Sequence, residues 1–253
     1  METQWTTHKR WIFFLVLLVL PSISLAEDWT QIIKLLAADR NELARFGWSV
    51  SMSGDYAIIG AIFDSSYTGA AYIFVRSGNA WIQQQKLIAS DADSAELFGH
   101  SVCISGEYAI VGAIYDSHNA SHGDSIYGAG SAYIFKRNGS AWTQQQKLVS
   151  SDRHKMDLFG SSVSISEDYA IVGSPYHITD TTVAAFREAG ASYIFMQTDP
   201  VWIKKQNLVS SPRQTGALFG NSVSISGDNL IIGAWKEDKN PNFSDSLGTG
   251  AAY

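Results

Sequence analysis

The chain has 253 residues and a formal net charge of −6 at pH 7, so its charge balance is mildly acidic. This argues against a nucleic-acid-binding protein, whose recognition surface normally needs a basic patch, and no cluster of Lys and Arg follows Arg10. The single cysteine, Cys103, excludes an internal disulfide, and a chain of this length can bury a core large enough to fold without one.

The N-terminus has the three parts of a secretory signal peptide. His8–Arg10 are basic, Trp11–Leu20 are all apolar, and Ser24–Ala26 offer small residues for cleavage after Ala26. The apolar run is far shorter than the roughly 20 residues of a membrane-spanning helix, so a cleaved signal over residues 1–26 is favoured over a membrane anchor. No second run of spanning length follows, so we expect a secreted or cell-surface protein, extracellular or periplasmic, without a membrane span.

Two landmarks recur along the rest of the chain with the same spacing. The intervals between successive Phe-Gly pairs are 52, 61 and 60 residues, and four tryptophans are separated by the same intervals. The landmarks are Phe46, Phe98, Phe159 and Phe219, and Trp29, Trp81, Trp142 and Trp202. Because two independent landmarks agree, the sequence predicts tandem repeats, with units near 46–97, 98–158, 159–218 and 219–253.

The first unit predicts four β-strands in chain order. Residues 46–54 alternate between polar and apolar side chains, and Gly54-Asp55 is typical of a tight turn. Residues 56–61 are almost wholly apolar, as expected for a strand covered on both faces. After a variable loop, residues 69–75 predict a third strand and residues 81–87 a more polar fourth strand at the edge. Four strands of graded polarity per unit are typical of a β-propeller blade, so we predict an all-β propeller with about four blades.

The repeated glycines and phenylalanines have a structural interpretation. A glycine ends the second strand of every unit, where inner strands crowd together and a side chain would obstruct close backbone approach. These glycines are Gly60, Gly112, Gly173 and Gly233. We expect the Phe of each Phe-Gly pair to wedge between neighbouring blades, and we assign none of these residues a catalytic role.

Several short sequence motifs in each unit resemble the FG-GAP repeat of integrin-α-type β-propellers. They include Phe98-Gly99, Gly112-Ala113 and the segment 128–135, and a Trp-x-Gln-Gln-Gln-Lys-Leu strand occurs at Trp81 and Trp142. The resemblance covers residues 29–253. In integrins this repeat builds a seven-bladed head. The resemblance implies a ligand-binding or scaffolding propeller domain over residues 27–253 of this chain.

The number of blades has two interpretations. Three units are complete, whereas the fourth ends within its third strand at Gly250–Tyr253. Residues 29–36 form a spare fourth strand, which would close a four-bladed ring if it paired with the last unit. Alternatively, the chain is the N-terminal portion of a longer propeller, and the abrupt end at Tyr253 favours this interpretation.

The resemblance also implies calcium, held in the loop between the second and third strands of a unit. The fourth loop comes closest, because its acids and amides alternate and oxygen ligands at alternate positions point to one centre. These candidate ligands are Asp238, Asn240, Asn242 and Asp245. Asp64 stands almost alone in the first loop, and Asp116, His118, His122 and Asp124 in the second are interpreted as solvated rather than as a zinc site. Because Phe243 stands where the turn glycine belongs and Asp245 comes one position early, a polar surface loop is the favoured interpretation, and calcium, the one cofactor considered, is the alternative.

No catalytic motif is present in the sequence. There is no Gly-x-Ser-x-Gly elbow, His-Glu-x-x-His helix or phosphate loop, and the acids before the Phe-Gly pairs, such as Glu96 and Asp157, are interpreted as turn and blade-edge residues. We therefore expect a non-enzymatic, adhesion-type propeller that recognises an extracellular protein or glycan. The variable loops expected to carry specificity are 62–68, 114–127, 175–189 and 235–247. The alternative is the propeller portion of a larger exported hydrolase or surface structural protein whose other domain lies beyond Tyr253.

Overall fold

The computed structural model describes residues 33–121, 123–178, 188–238 and 248–253. Residues Leu35–Tyr253 form one compact unit, and of the preceding unit, Met1–Lys34, only the last two residues are described. The predicted signal peptide therefore lies outside the described residues. Within the described ranges no helix is long and apolar enough to span a membrane.

The described residues of the compact unit form 15 strands in four antiparallel sheets. Blade 1 contains β1 (Phe46–Ser53), β2 (Tyr56–Ala61), β3 (Ala70–Ser77) and β4 (Ala80–Leu87). Blade 2 contains β5 (Phe98–Ser105), β6 (Tyr108–Ala113), β7 (Ser131–Asn138) and β8 (Ala141–Leu148). Blade 3 contains β9 (Ser162–Ser166), β10 (Tyr169–Ser174), β11 (Ala191–Thr198) and β12 (Val201–Leu208). Blade 4 contains β13 (Phe219–Ser226), β14 (Asn229–Ala234) and β15 (Ala251–Ala252).

Each blade is a meander in which strands pair in sequence order. The tight turn expected at Gly54-Asp55 is present, because Ser53 pairs with Tyr56 and Gly54 has a φ of 55°. A single helical turn, α1 (Asp64–Tyr67), lies in the loop between β2 and β3 and contains left-handed residues. The predicted all-β propeller with four blades is confirmed.

Neighbouring blades pack closely at the glycine that ends each second strand. A Cβ on Gly60 would lie 2.1 Å from the carbonyl oxygen of Gly99 in the next blade, and one on Gly112 would lie 2.1 Å from that of Gly160. The prediction of close backbone approach is therefore confirmed at these glycines. The Phe of the Phe-Gly pair lies at the same junction, because Phe98 packs with Ile58 of blade 1 and Tyr133 of blade 2 in one apolar cluster.

The glutamines of the fourth strand link successive blades. The Gln85 side chain accepts a hydrogen bond from the backbone N–H of Trp142 at 2.8 Å and donates one to the Trp142 carbonyl at 2.7 Å. Gln146 of blade 2 repeats both bonds with Trp202 at 2.7 and 2.8 Å. The fourth strands β4 and β8 are the polar edges of their sheets, as expected, and their glutamines bond to the backbone of the next blade as well.

The first and last blades each keep one face without a neighbouring blade among the described residues. On β1, Val50 and Met52 are 68% and 69% exposed. Ile104, which has the position of Met52 in blade 2, is 3% exposed. A Cβ on Gly47 would meet no atom within 4 Å. Ile231 of blade 4 is likewise exposed.

The segment before blade 1 packs against that blade. Leu35 and Ala37 join the apolar cluster of Phe46 and Trp81, and the Ala38 N–H donates to the Gln83 side chain at 2.8 Å. The described residues 33–37 are not in a strand, and residues 29–32 lie outside the described range. Closure of a ring by residues 29–36 therefore stays a prediction.

Candidate functional site

A buried polar network lies at the loop end of blade 1. The turn after β2 places Asp64 beside the hydroxyl of Tyr72, which donates a hydrogen bond to its carboxylate. Lys86 lies opposite Tyr72 in the strand register, and its ammonium lies 3.0 Å from Asp64 and 2.7 Å from Asp39. The hydrogen bond from Lys86 lowers the pKa of Asp39. Burial and the hydrogen bond to Asp64 together raise the pKa of Tyr72 far above its usual value.

Blade 2 repeats this network in a more buried form. Tyr133 donates to Asp116 at 2.6 Å, and the ammonium of Lys147 lies 2.6 Å from Asp116 and 2.7 Å from Asp91. Asp91 belongs to the segment that follows β4, so the network ties blade 1 to blade 2. Burial opposes ionisation of Asp91, but the hydrogen bond and charge of Lys147 leave its pKa lowered.

In blade 3, two members of the network are replaced: a histidine stands in place of the loop aspartate, and an asparagine in place of the lysine. His177 occupies the position of Asp116, and Asn207 lies opposite Tyr193 where Lys147 would be expected. His177 Nδ1 lies 2.9 Å from Asp157 Oδ2, and its Nε2 lies 3.3 Å from a carboxylate oxygen of Asp152. The blade-3 cation is therefore supplied by the loop after β10 instead of the outer strand.

The imidazole of His177 lies between these two carboxylates and is fully buried. Burial alone would lower its pKa, but the interactions with Asp152 and Asp157 prevail and raise the pKa of His177 to about 9. The contact with His177, whose Nε2 lies 3.3 Å away, in turn holds the pKa of Asp152 far below its usual value, against the effect of burial. Tyr193 completes the set by donating to Asp152 at 2.9 Å.

A second histidine approaches the same carboxylate from the loop between β8 and β9. The Nδ1 atom of His154 lies 3.7 Å from Asp157 Oδ2, and the His154 N–H donates to that oxygen at 2.8 Å. The two imidazole rings, of His154 and His177, have centroids 5.5 Å apart. Asp157 is fully buried, and its Oδ1 atom has no hydrogen-bond partner among the described residues. His154, Asp157 and His177 thus offer ligand atoms within 4.8 Å of one another.

Glu96 and Asp157 lie directly after turns at the junctions between blades, and both are buried. Glu96 is 4% exposed, and burial raises its pKa to about 7. It lies with Asp116 and His118 in a cluster that shares two positions with that of blade 3, because Glu96 and Asp116 align with Asp157 and His177. The sequence signal that could have revealed these sites is the coupled exchange of Asp116 for a histidine and of Lys147 for an asparagine one unit later.

The calcium candidates fall mostly outside the described residues. Asn240, Asn242 and Asp245 lie there, so the calcium site stays a prediction. Asp238 is described, and its Oδ1 accepts a hydrogen bond from the Gly248 N–H at 2.8 Å. Asp64 and Asp116 of the first two loops are buried and paired with tyrosine and lysine, as described above, whereas Asp124 is exposed.

A cleft of about 630 Å³ opens between blades 1 and 2. It brings together the first two variable loops and the segment before β5, and four aromatic side chains line it. Tyr67 and Tyr127 are 48% and 62% exposed, and the ring of Tyr127 stacks on Tyr115 with centroids 6.4 Å apart. Glu96 and His118 supply its polar lining. His122, residues 179–187 and residues 239–247 of the remaining variable loops lie outside the described residues.

Comparison with known proteins agrees with the repeat that the structure displays. Comparison with curated proteins returns no significant match. The family model of the FG-GAP repeat matches residues 29–74, 81–135, 142–195 and 202–253. The three later segments each begin in the outer strand of one blade and end in the third strand of the next, so the matched unit is offset from the structural blade by one strand. The chain belongs to the FG-GAP repeat family.

Proposed function

We propose that this chain is an exported, non-enzymatic binding propeller of the adhesion type, and that the cleft between blades 1 and 2 receives its ligand. The observation that carries the proposal is the pair of half-exposed tyrosines, Tyr67 and Tyr127, which line a concave surface formed by variable loops. Loops held by a rigid scaffold commonly carry recognition. Export rests on the signal-like pattern of residues 1–26.

A glycan suits this cleft better than an extended protein surface. Tyrosine presents an apolar ring with a polar tip, so it can stack on the C–H face of a sugar and hydrogen-bond to a hydroxyl. Asp93, Glu96 and His118 lie beside the aromatic rings and supply further hydrogen-bonding groups. The concave form matches a short oligosaccharide, whereas protein interfaces of standard size are wider and flatter.

Binding rather than catalysis is proposed because the carboxylates that contact Tyr72, Tyr133 and Tyr193 are engaged in structural pairs. Asp64, Asp116 and Asp152 each accept a hydrogen bond from a tyrosine hydroxyl, and each lies beside a cationic side chain. Such paired groups stabilise the junctions and are not free to transfer protons to a substrate.

The proposal is tested by probing the full chain against an array of purified glycans and a panel of extracellular proteins. We expect binding to a subset of glycans, and the double variant Tyr67→Ala/Tyr127→Ala is expected to weaken it at least tenfold. Tyr176→Ala, which removes a partly exposed tyrosine from blade 3, is the matched control and leaves binding unchanged. Selective binding to the protein panel would assign the other ligand class. Binding to neither, or binding that survives the double variant, would overturn the proposal.

A further inference from the structure

We propose that His154, Asp157 and His177 form a site for one divalent transition-metal ion of the zinc class at the junction of blades 2 and 3. A ligand set of two imidazoles and one carboxylate favours zinc over calcium or magnesium. The two histidines come from different loops and meet at one carboxylate oxygen, Asp157 Oδ2. This site is independent of the cleft between blades 1 and 2.

The distances fit a tetrahedral ion. Ligand atoms bound to zinc at its usual bond length lie about 3.3 Å apart. Here His177 Nδ1 lies 2.9 Å from Asp157 Oδ2, and His154 Nδ1 lies 3.7 Å from the same atom. These two separations lie on either side of that value, and all the ligand atoms lie within 4.8 Å of one another, so a small rearrangement of the side chains would bring them to one ion, with a water molecule as the fourth ligand.

The orientation of His177 is fixed from its other side. The ion would replace the proton on Nδ1 of His177, which is released to solvent, while Nε2 keeps its proton and faces Asp152 at 3.3 Å. A carboxylate that holds the second nitrogen of a ligating histidine selects the tautomer and increases the basicity of the ligand. Tyr193 holds Asp152 by donating to it at 2.9 Å. The site thus has an outer shell as well as ligands.

Two of the three proposed ligands are fully buried, and the third is partly exposed. Asp157 and His177 are fully buried, and Asp157 Oδ1 has no hydrogen-bond partner among the described residues. A second, unpartnered carboxylate oxygen is costly to bury unless an ion neutralises it. The side chain of His154 is 34% exposed although its Nδ1 atom is buried, so a rotation of this side chain would admit the ion.

Blade 2 contains a similar cluster, but we expect the ion to bind in blade 3 and not in blade 2. Its members are Glu96, Asp116 and His118, but the ammonium of Lys147 lies 2.6 Å from Asp116 and would repel a metal ion there. In blade 3 the lysine is replaced by Asn207. Arg153 lies nearby, and its guanidinium donates to the Ser117 carbonyl at 2.7 Å instead.

The experiment uses the untagged full chain, treated with chelator and then titrated with Zn²⁺ by calorimetry and by thermal denaturation. We expect one Zn²⁺ per chain and a rise in Tm that Ca²⁺ does not reproduce through this site. His154→Ala is expected to weaken Zn²⁺ binding at least tenfold, and Asp152→Asn by about 10- to 100-fold through the outer shell.

His118→Ala is the matched control, since it removes a histidine from the similar blade-2 cluster, and it leaves Zn²⁺ binding within twofold. Co²⁺ in place of Zn²⁺ gives visible absorption bands that report tetrahedral nitrogen and oxygen ligands, and these bands are lost in His154→Ala. Because His154 is partly exposed, this variant is expected to fold, and its metal-free Tm checks that directly. Zn²⁺ affinity unchanged in His154→Ala, or no Zn²⁺ binding to the unaltered chain, would overturn the proposal.

Discussion

Tyr193 of β11 lies directly opposite Asn207 of β12 in the register of blade 3. In blade 2 the same register places Lys147 opposite Tyr133. The positive charge that is missing from the outer strand of blade 3 is supplied by His177, which lies fully buried on the loop after β10. The two blades therefore satisfy their carboxylates with cations from different elements, and the exchange can be reversed by mutation.

Reversal of this exchange is the first prediction. His177→Asp alone places a third carboxylate beside Asp152 and Asp157 and is expected to lower the free energy of unfolding by about 3 kcal/mol or more. Adding Asn207→Lys supplies an ammonium in the position of Lys147 and is expected to recover at least half of that loss. Chemical denaturation of both single variants and the double variant measures the coupling. Asn207→Met, which adds length without charge, is the control, and strictly additive effects would contradict the prediction.

The second prediction concerns Glu96 and pH. Burial, with a further contribution from Asp116, raises the pKa of Glu96 to about 7, although the Asp93 N–H and Lys147 favour its ionised form and Asp91 opposes it. The folded state therefore binds more protons than the unfolded state between about pH 4.5 and 7. Stability from this group is fully present below about pH 4.5 and is lost as the pH rises through 7.

Glu96→Gln removes this dependence while keeping an oxygen that can accept the Asp93 N–H. The variant is expected to be more stable than the unaltered chain at pH 8, by on the order of 2–3 kcal/mol, and about equal to it near pH 4. Denaturation curves at several pH values check both the size and the sign. Equal pH profiles for the two proteins would show that Glu96 does not titrate as its burial implies.

The third prediction follows from the glutamine links between blades. Gln85→Ala removes two hydrogen bonds to the backbone of Trp142 and leaves both groups partly buried, so it is expected to cost about 1–2 kcal/mol. Gln206 has the same position in blade 3, but no following outer strand contacts it among the described residues. Gln206→Ala is therefore expected to change stability by less than about 0.5 kcal/mol. Similar losses in the two variants, measured by thermal denaturation, would contradict this role.

The fold was largely predictable from sequence because the repeat multiplies every local signal. The alternation of residues 46–54 and the turn at Gly54 gave the hairpin of the first blade, and the same pattern recurs in the later units. The polar junctions were not predictable in this way. An acid such as Glu96 looks like a surface residue when its unit is considered alone, because its burial depends on the neighbouring blade. Only a comparison of Asp116 with His177 across units carries the signal.

The last prediction uses two glycines with the same backbone and different surroundings. Gly47 and Gly99 begin β1 and β5 with φ values of 92° and 91°, so an alanine at either position has the same backbone strain of roughly 1–2 kcal/mol. A Cβ on Gly99 would lie 2.4 Å from the carbonyl oxygen of Ala70 in blade 1, whereas one on Gly47 would meet no atom within 4 Å. Gly99→Ala must therefore separate two blades or bend a strand, which adds to the strain.

We expect Gly99→Ala to be less stable than Gly47→Ala by at least about 2 kcal/mol, measured as the difference in free energy of unfolding. Because both variants carry the same backbone strain, the difference between their free energies of unfolding reports the contact between blades alone. Equal losses in the two variants would mean either that the blade junction yields without cost or that another strand covers Gly47 in solution. Adding Val50→Asp to Gly47→Ala separates these explanations, because a charge on the face of β1 is tolerated only if that face is open to water.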